Sequence, residues 1–311
     1  MSSEHLTNQL HGSNHPDTTR DEFGWEVVAS SGSRPRHIQA NETDFAYLDE
    51  GDGAPVVMVH GALSDYRSWT NQIRSFSRDY RVISYSRRYH YPNAPFVGDA
   101  SNYSRSVHLE DLSKFIDALK LGPVHLVGHS YGGSIAAMLA MKHPEKVASL
   151  VLAEPSLFSI LETVQERVSL KLHRIALNAV LKLAEHEEKG LATRQFVKVV
   201  RGQDKTEFPL ELLLVLTQNA QTLAPMLHTY FDPVGVSCDD ARNIKTPTLL
   251  IAGALSPPLY RTICNKLNLC LPNSQFVDLA GASHGLHMEN PVGFNSAVLG
   301  FLSPVDQRTN Q

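Results

Sequence analysis

Val124-His125-Leu126-Val127-Gly128-His129-Ser130-Tyr131-Gly132-Gly133-Ser134 decides how this 311-residue chain is read. Four mostly apolar residues lead into Gly-His-Ser-Tyr-Gly, and small, helix-favouring residues follow at 135–141, so the stretch predicts a strand, a sharp turn and a helix. A serine at the tip of so tight a turn needs a strained backbone. A side chain two positions to either side would meet the strand or the helix, and both places are glycine. The serine oxygen then stands above the sheet edge at the positive end of the helix, where an oxyanion is stabilised. A glycine-rich turn with an incidental serine is the competing reading of the same letters.

On both sides of this stretch, apolar runs alternate with helical patterns. Strands are predicted at 36–40, 44–48, 56–59, 81–86, 147–153, 246–253 and 274–279, and helices at 65–76, 104–120, 259–271 and 291–302. Val56 to Val59 is apolar throughout, as a strand buried on both faces must be. Strand, helix and strand in succession imply an α/β fold with a parallel, right-handed, doubly wound sheet. Between 156 and 236 the rhythm breaks, and leucine and valine recur only at helical spacing. The expected organisation is a polar tail at 1–34, a core at 35–155 and 237–303, a helical cap at 156–236 and a frayed tail at 304–311.

Composition narrows the function. Hydrophobic residues make up 42% and charged residues 19%, as in a globular protein that is not fibrous or low in complexity. A net charge of −4 supplies no basic surface for nucleic acid. No run of 18 apolar residues predicts a membrane span, and the polar N-terminus lacks the apolar centre of a signal peptide. The three cysteines, Cys238, Cys264 and Cys270, form no Cys-x-x-Cys pair and read as apolar fillers in a reducing cytoplasm. The sequons at Asn41 and Asn102 then read as chance. Fifteen histidines show no metal-ligand spacing, so neither a metal nor another cofactor is expected. A homodimer is compatible with this composition.

A nucleophilic serine needs a base, and the base needs a carboxylate. His284, in Gly281-Ala282-Ser283-His284-Gly285 after the last strand, is the candidate base. Three motifs in order, His60-Gly61, the elbow at Ser130, and Gly281 to His284 followed by Glu289-Asn290-Pro291, resemble the α/β-hydrolase superfamily over residues 36–303. The resemblance implies an oxyanion hole made by the N–H groups of Ala62 and Tyr131, with Leu63 as the fallback donor. It also implies an acid within Gly-x-x-Asp after the strand ending at Gly253, but this chain has Ser256 at that place. The alternative acid position lies at the end of the preceding sheet strand, where Glu154 stands. Zearalenone-type lactone hydrolases use a glutamate there, so the expected triad is Ser130, Glu154 and His284. The competing reading makes Glu154 a cap-contacting acid and leaves the site without its orienting carboxylate.

The remaining polar residues receive structural readings. His60 shapes its loop, His129 is a packed neighbour, and His287 faces the loop exterior. Asp278 lies in a strand and points away, and Asp239 and Asp240 sit at the wrong end of the sheet. Arg87 and Arg88, which replace the Asp-x-x-Gly-x-Gly turn of relatives, form salt bridges or meet an acidic substrate group. In the cap, Leu157, Phe158, Ile160 and Leu161 are candidates to line the pocket, with Phe158 and Leu63 as the chosen substrate contacts. These features lead to a cofactor-free serine hydrolase acting on a small to medium hydrophobic ester or lactone. A carbon–carbon hydrolase or cofactor-free lyase uses much of the same equipment, and a silent ligand receptor remains open because of Ser256. Epoxide hydrolase and haloalkane dehalogenase chemistry is disfavoured, because those relatives carry Asp where Ser130 stands.

Overall fold

The computed structural model describes residues 19–20, 26–27, 34–202, 208–232 and 235–309. Within the N-terminal tail, β1 (Thr19–Arg20) and β2 (Glu26–Val27) pair antiparallel. The rest of the 1–34 tail lies almost wholly outside the described residues. An eight-stranded sheet forms the centre, built from β3 (Arg36–Ala40), β4 (Thr43–Glu50), β5 (Pro55–Val59), β6 (Arg81–Tyr85), β7 (Val124–His129), β8 (Val147–Ala153), β9 (Thr248–Gly253) and β10 (Ser274–Leu279). Their spatial order is β10-β9-β8-β7-β5-β6-β4-β3, with the β3–β4 and β4–β6 pairs antiparallel and the other pairs parallel.

Period-two alternation divides the apolar strand residues between two cores. Val57, Val59, Leu126 and Leu250 face one side with Phe115, Ile135 and Leu139, while Val56, Met58, Val127, Leu249 and Ile251 face the other with Trp69, Phe76, Phe294 and Val298. Helices cover both faces: α1 (Thr70–Phe76), α2 (Arg105–Ala118) and α3 (Ser130–Lys142) accompany the first strands. Only helical elements occur among the described residues between β8 and β9. The principal ones are α4 (Val164–Glu185), α5 (Lys189–Arg201), α6 (Leu210–Asn219) and α7 (Leu223–Thr229), with α8 (Cys238–Asn243) leading back to the sheet. A Thr163–Glu166 capping box starts α4, and Lys266 of the core meets the same Glu166 at 2.9 Å, so one carboxylate both caps a helix and ties it down. The core closes with α9 (Pro258–Cys270), α10 (Leu286–Glu289) and α11 (Pro291–Thr309).

Two expectations fail here. The closing helix runs past 302 to Thr309 instead of fraying, because Val305 extends the apolar seam into the second core. Cys238 and Cys270 are joined in a disulfide with a Cα–Cα separation of 5.3 Å, and only Cys264 is a free, buried thiol. Cysteine usage therefore gives no support to a reducing compartment. Among the described residues no helix is long and apolar enough to cross a membrane.

Candidate active site

Ser130 joins β7 to α3 with φ of 51°, the left-handed region that a tight elbow requires. The flanking glycines have steric reasons. A Cβ at Gly132 would lie 2.3 Å from the Val59 carbonyl oxygen, and one at Gly128 would lie 2.7 Å from the Gly133 Cα. The turn delivers the Ser130 hydroxyl to His284, whose Nε2 lies 2.9 Å from Oγ.

His284 follows β10 on a loop that Glu289 anchors, accepting from the Ser283 N–H and the Ser283 hydroxyl. The imidazole stacks on the Tyr260 ring with centroids 4.0 Å apart. Its Nδ1 lies 2.6 Å from Glu154 Oε2. Glu154 directly follows β8 with φ of 44°, is fully buried, and accepts the Gly253 N–H on its other oxygen at 2.8 Å. The carboxylate thus spans from β8 to the end of β9, where Ser256 stands. The Ser256 hydroxyl is itself buried and has no hydrogen-bond partner among the described residues. Ser130, Glu154 and His284 are therefore contiguous, and the geometry leaves Ser256 out.

His60, Gly61, Ala62 and Leu63 form the loop after β5, on the far side of Ser130. Leu63 has φ of 50°, a bend that a leucine adopts only where its surroundings hold it. The His60 ring shapes the loop: Nδ1–H donates to the Gly61 carbonyl at 2.9 Å and Nε2 accepts the Arg87 N–H at 2.9 Å. Those two bonds require the neutral imidazole, and burial, helped by the Arg87 charge, lowers its pKa well below the ordinary value. His129 is the expected packed neighbour, donating from Nε2 to the His284 carbonyl at 2.7 Å.

Ala62, Leu63, His129, Ser130 and His284 open onto a cavity of about 60 Å³. Its cap wall is Phe196, Val197, Val200 and Arg201 of α5 with Leu212 and Leu216 of α6, so Leu63 lines it as expected and Phe158 does not. Phe158 instead sits in a 3-10 turn immediately after β8, its ring 5.3 Å from both Tyr230 and Phe231, which turns it into the packing of the cap. The periodic pattern of α5 carried no sign of which apolar face meets the site. Arg201, buried and paired with Glu289 at 3.3 Å, also escaped the sequence reading, because helix-end arginines are ordinarily solvated.

His287 is a second correction. Its ring lies inside, with centroids 4.4 Å from Trp69 and 4.6 Å from His129, because α10 turns it back beneath the elbow. Burial pushes its pKa down to about 3. The two arginines of the 87–88 turn differ: Arg88 forms a bidentate pair with Asp111, whereas Arg87 bonds backbone carbonyls. Asp278 lies in β10 and pairs with Arg261; Asp240 caps α8. No cluster of metal-ligating side chains occurs among the described residues.

A profile of the alpha/beta hydrolase fold family matches residues 54–188. Over 272 residues the chain is 29% identical to a candidate 2-succinyl-6-hydroxy-2,4-cyclohexadiene-1-carboxylate synthase of Bacillus subtilis (strain 168), spanning 84% of this chain and 95% of that protein. It is 25% identical over 284 residues to the sn-1-specific diacylglycerol lipase ABHD11 of Mus musculus, spanning 88% and 89% of the two chains. The crystal structure of the enol-lactonase from Burkholderia xenovorans LB400 superposes with a TM-score of 0.72 at 19% identity, covering 86% of this chain and 100% of that one. At that identity the likeness speaks for the fold.

Proposed function

The chain belongs to the α/β-hydrolase superfamily, and from that premise we propose that it is a serine hydrolase cleaving a carboxylic ester or lactone through an acyl-enzyme on Ser130. One observation carries the reading: an unbroken hydrogen-bonded line from Ser130 Oγ through His284 to Glu154, in steps of 2.9 and 2.6 Å. Ser130 Oγ attacks the carbonyl carbon while its proton passes to His284 Nε2. Glu154 holds the Nδ1–H and stabilises the imidazolium. The carbonyl oxygen takes up negative charge against the N–H groups of Ala62 and Tyr131. Collapse breaks the bond to the leaving oxygen, which receives the proton from His284. Water then attacks the acyl-enzyme with His284 again as base, releasing the acid and restoring the Ser130 hydroxyl.

The apolar walls of the cavity support a small or medium hydrophobic acyl or leaving group. The carboxylate position of Glu154 supports catalysis over the silent-receptor reading, which rested on Ser256. A second reading, carbon–carbon hydrolysis or a cofactor-free lyase reaction, draws on the synthase named for the Bacillus subtilis relative. Turnover of a panel of aryl esters and lactones by wild type and Ser130→Ala tests the proposal. Serine-dependent ester or lactone turnover is expected, and equal turnover by the two proteins overturns it.

A further inference from the structure

Arg87 is fully buried, yet among the described residues it forms no ion pair with a carboxylate, since the nearby Asp111 is taken by Arg88. Its guanidinium is spent on the loop beside Ser130. Nε donates to the His60 carbonyl at 3.2 Å, Nη2 to the Gly61 carbonyl at 3.0 Å and Nη1 to His108 Nε2 at 3.3 Å. The Arg87 N–H completes the grip by donating to His60 Nε2, and the charge also lies 4.9 Å from the centre of the Tyr131 ring.

The Gly61 carbonyl and the Ala62 N–H belong to one amide group. That carbonyl accepts two hydrogen bonds, from Arg87 and from His60, whereas the Ala62 N–H donates to no backbone acceptor among the described residues. Donors on a carbonyl draw electron density from its amide nitrogen and make the N–H a stronger donor. A buried cation without a matched anion is also unfavourable in the resting site. An oxyanion forming next to Ala62 supplies the missing negative charge, so the stabilisation is greater in the transition state than in the ground state.

We propose that Arg87 is a positioning residue for the oxyanion site, fixing and polarising the Gly61–Ala62 amide with a charge that has no other counter-ion among the described residues. The inference rests on the serine hydrolase reading above and deepens it. His60 is its partner in this role: its two bonds fix the tautomer, and burial maintains the neutral imidazole that they demand.

The test is the kinetics of inactivation by an alkyl fluorophosphonate, whose phosphoryl oxygen enters the oxyanion site as the adduct forms, with thermal midpoints measured alongside. Arg87→Met is expected to lower the maximal inactivation rate constant by about 30–300-fold and to leave the inhibitor's dissociation constant within about threefold of wild type. Arg87→Lys keeps the charge but cannot serve both carbonyls, and is expected to recover part of the rate, remaining about 5–20-fold below wild type. A folded Arg87→Met protein that reacts within about threefold of wild type overturns the inference, as does a loss confined to the dissociation constant. Should Arg87→Met fail to fold, Arg87→Lys decides: a reduced rate constant with unchanged binding supports the role, and a wild-type rate constant overturns it. Failure of the parent reading has a separate signature, namely a wild-type protein that does not react or a Ser130→Ala protein that does, and the inference falls with it.

Discussion

Histidine serves the two sides of Ser130 to opposite ends. On one side stand His284, whose Nε2 takes up and returns a proton in the proposed reaction, and Glu154, which holds its Nδ1–H, and each working atom has a single partner at hydrogen-bond distance. On the other side stand His60 and Arg87, and beneath them His129 and His287, whose protonation must not change. There burial depresses the histidines, and fixed donors hold the loop. The first side is a path for a proton and the second a fixed field. A polar residue near a nucleophile is thus not identified by its type. Its partners decide whether it moves charge or holds it still.

The contrast can be broken from the proton-moving side with the largest effect. Ser130→Ala is expected to lower kcat by about 10⁴–10⁶-fold without loss of folding, measured on whichever ester the wild type turns over. Glu154→Gln keeps the shape but presents an amide where His284 needs a charge, and about 10³–10⁴-fold in kcat should go with it. A loss under tenfold would make Glu154 a packing residue. On the fixed side, Gly61→Ala puts a Cβ 2.8 Å from His129 Nδ1 and displaces the loop. An activity loss of about 10–100-fold with wild-type labelling stoichiometry is expected, smaller because the donors are shifted and not removed.

The smallest effect sharpens the idea of fixed protonation. The native pKa of His287 is about 3, so below its ordinary value near 6.5 the unfolded chain binds a proton that the native protein refuses. Stability therefore falls as pH drops through 6.5, by roughly 1 kcal/mol at pH 5.5 for this one side chain. Denaturant unfolding of wild type and His287→Gln at pH 7.5 and 5.5 should show the variant losing less between the two values by that amount. Parallel losses would mean that His287 takes up its proton in the native state.

Much of the proton-moving side was legible in the sequence. Strands buried on both faces must be continuously apolar, so β5, β7 and β8 announced themselves, and the elbow glycines follow from the contacts that a Cβ would make. Ser256 cannot carry charge, and it was the resemblance to zearalenone-type lactone hydrolases that pointed to Glu154 instead. The fixed side was less legible. Arg87 sits in a turn that departs from the related pattern, and neither its letter nor its spacing distinguishes a guanidinium on carbonyls from one on Asp111. His287 was misread for want of a local signal: its burial depends on Trp69, more than 200 positions away in the chain. Phe158 follows Glu154 so closely that proximity suggested a pocket residue, yet the turn after β8 sends it into the cap while α5, far along the chain, supplies the wall. The Cys238–Cys270 bond likewise joins α8 to the end of α9, a juxtaposition that no local pattern encodes.

The most direct test of the proton-moving side is the intact mass of the purified protein after treatment with a fluorophosphonate, beside Ser130→Ala treated identically. One phosphonyl adduct on the wild type and none on the variant is the predicted result. An adduct retained by folded Ser130→Ala, or none on folded wild type with a probe small enough to enter the cavity, would contradict the assignment of Ser130 as a nucleophile activated by His284 and Glu154.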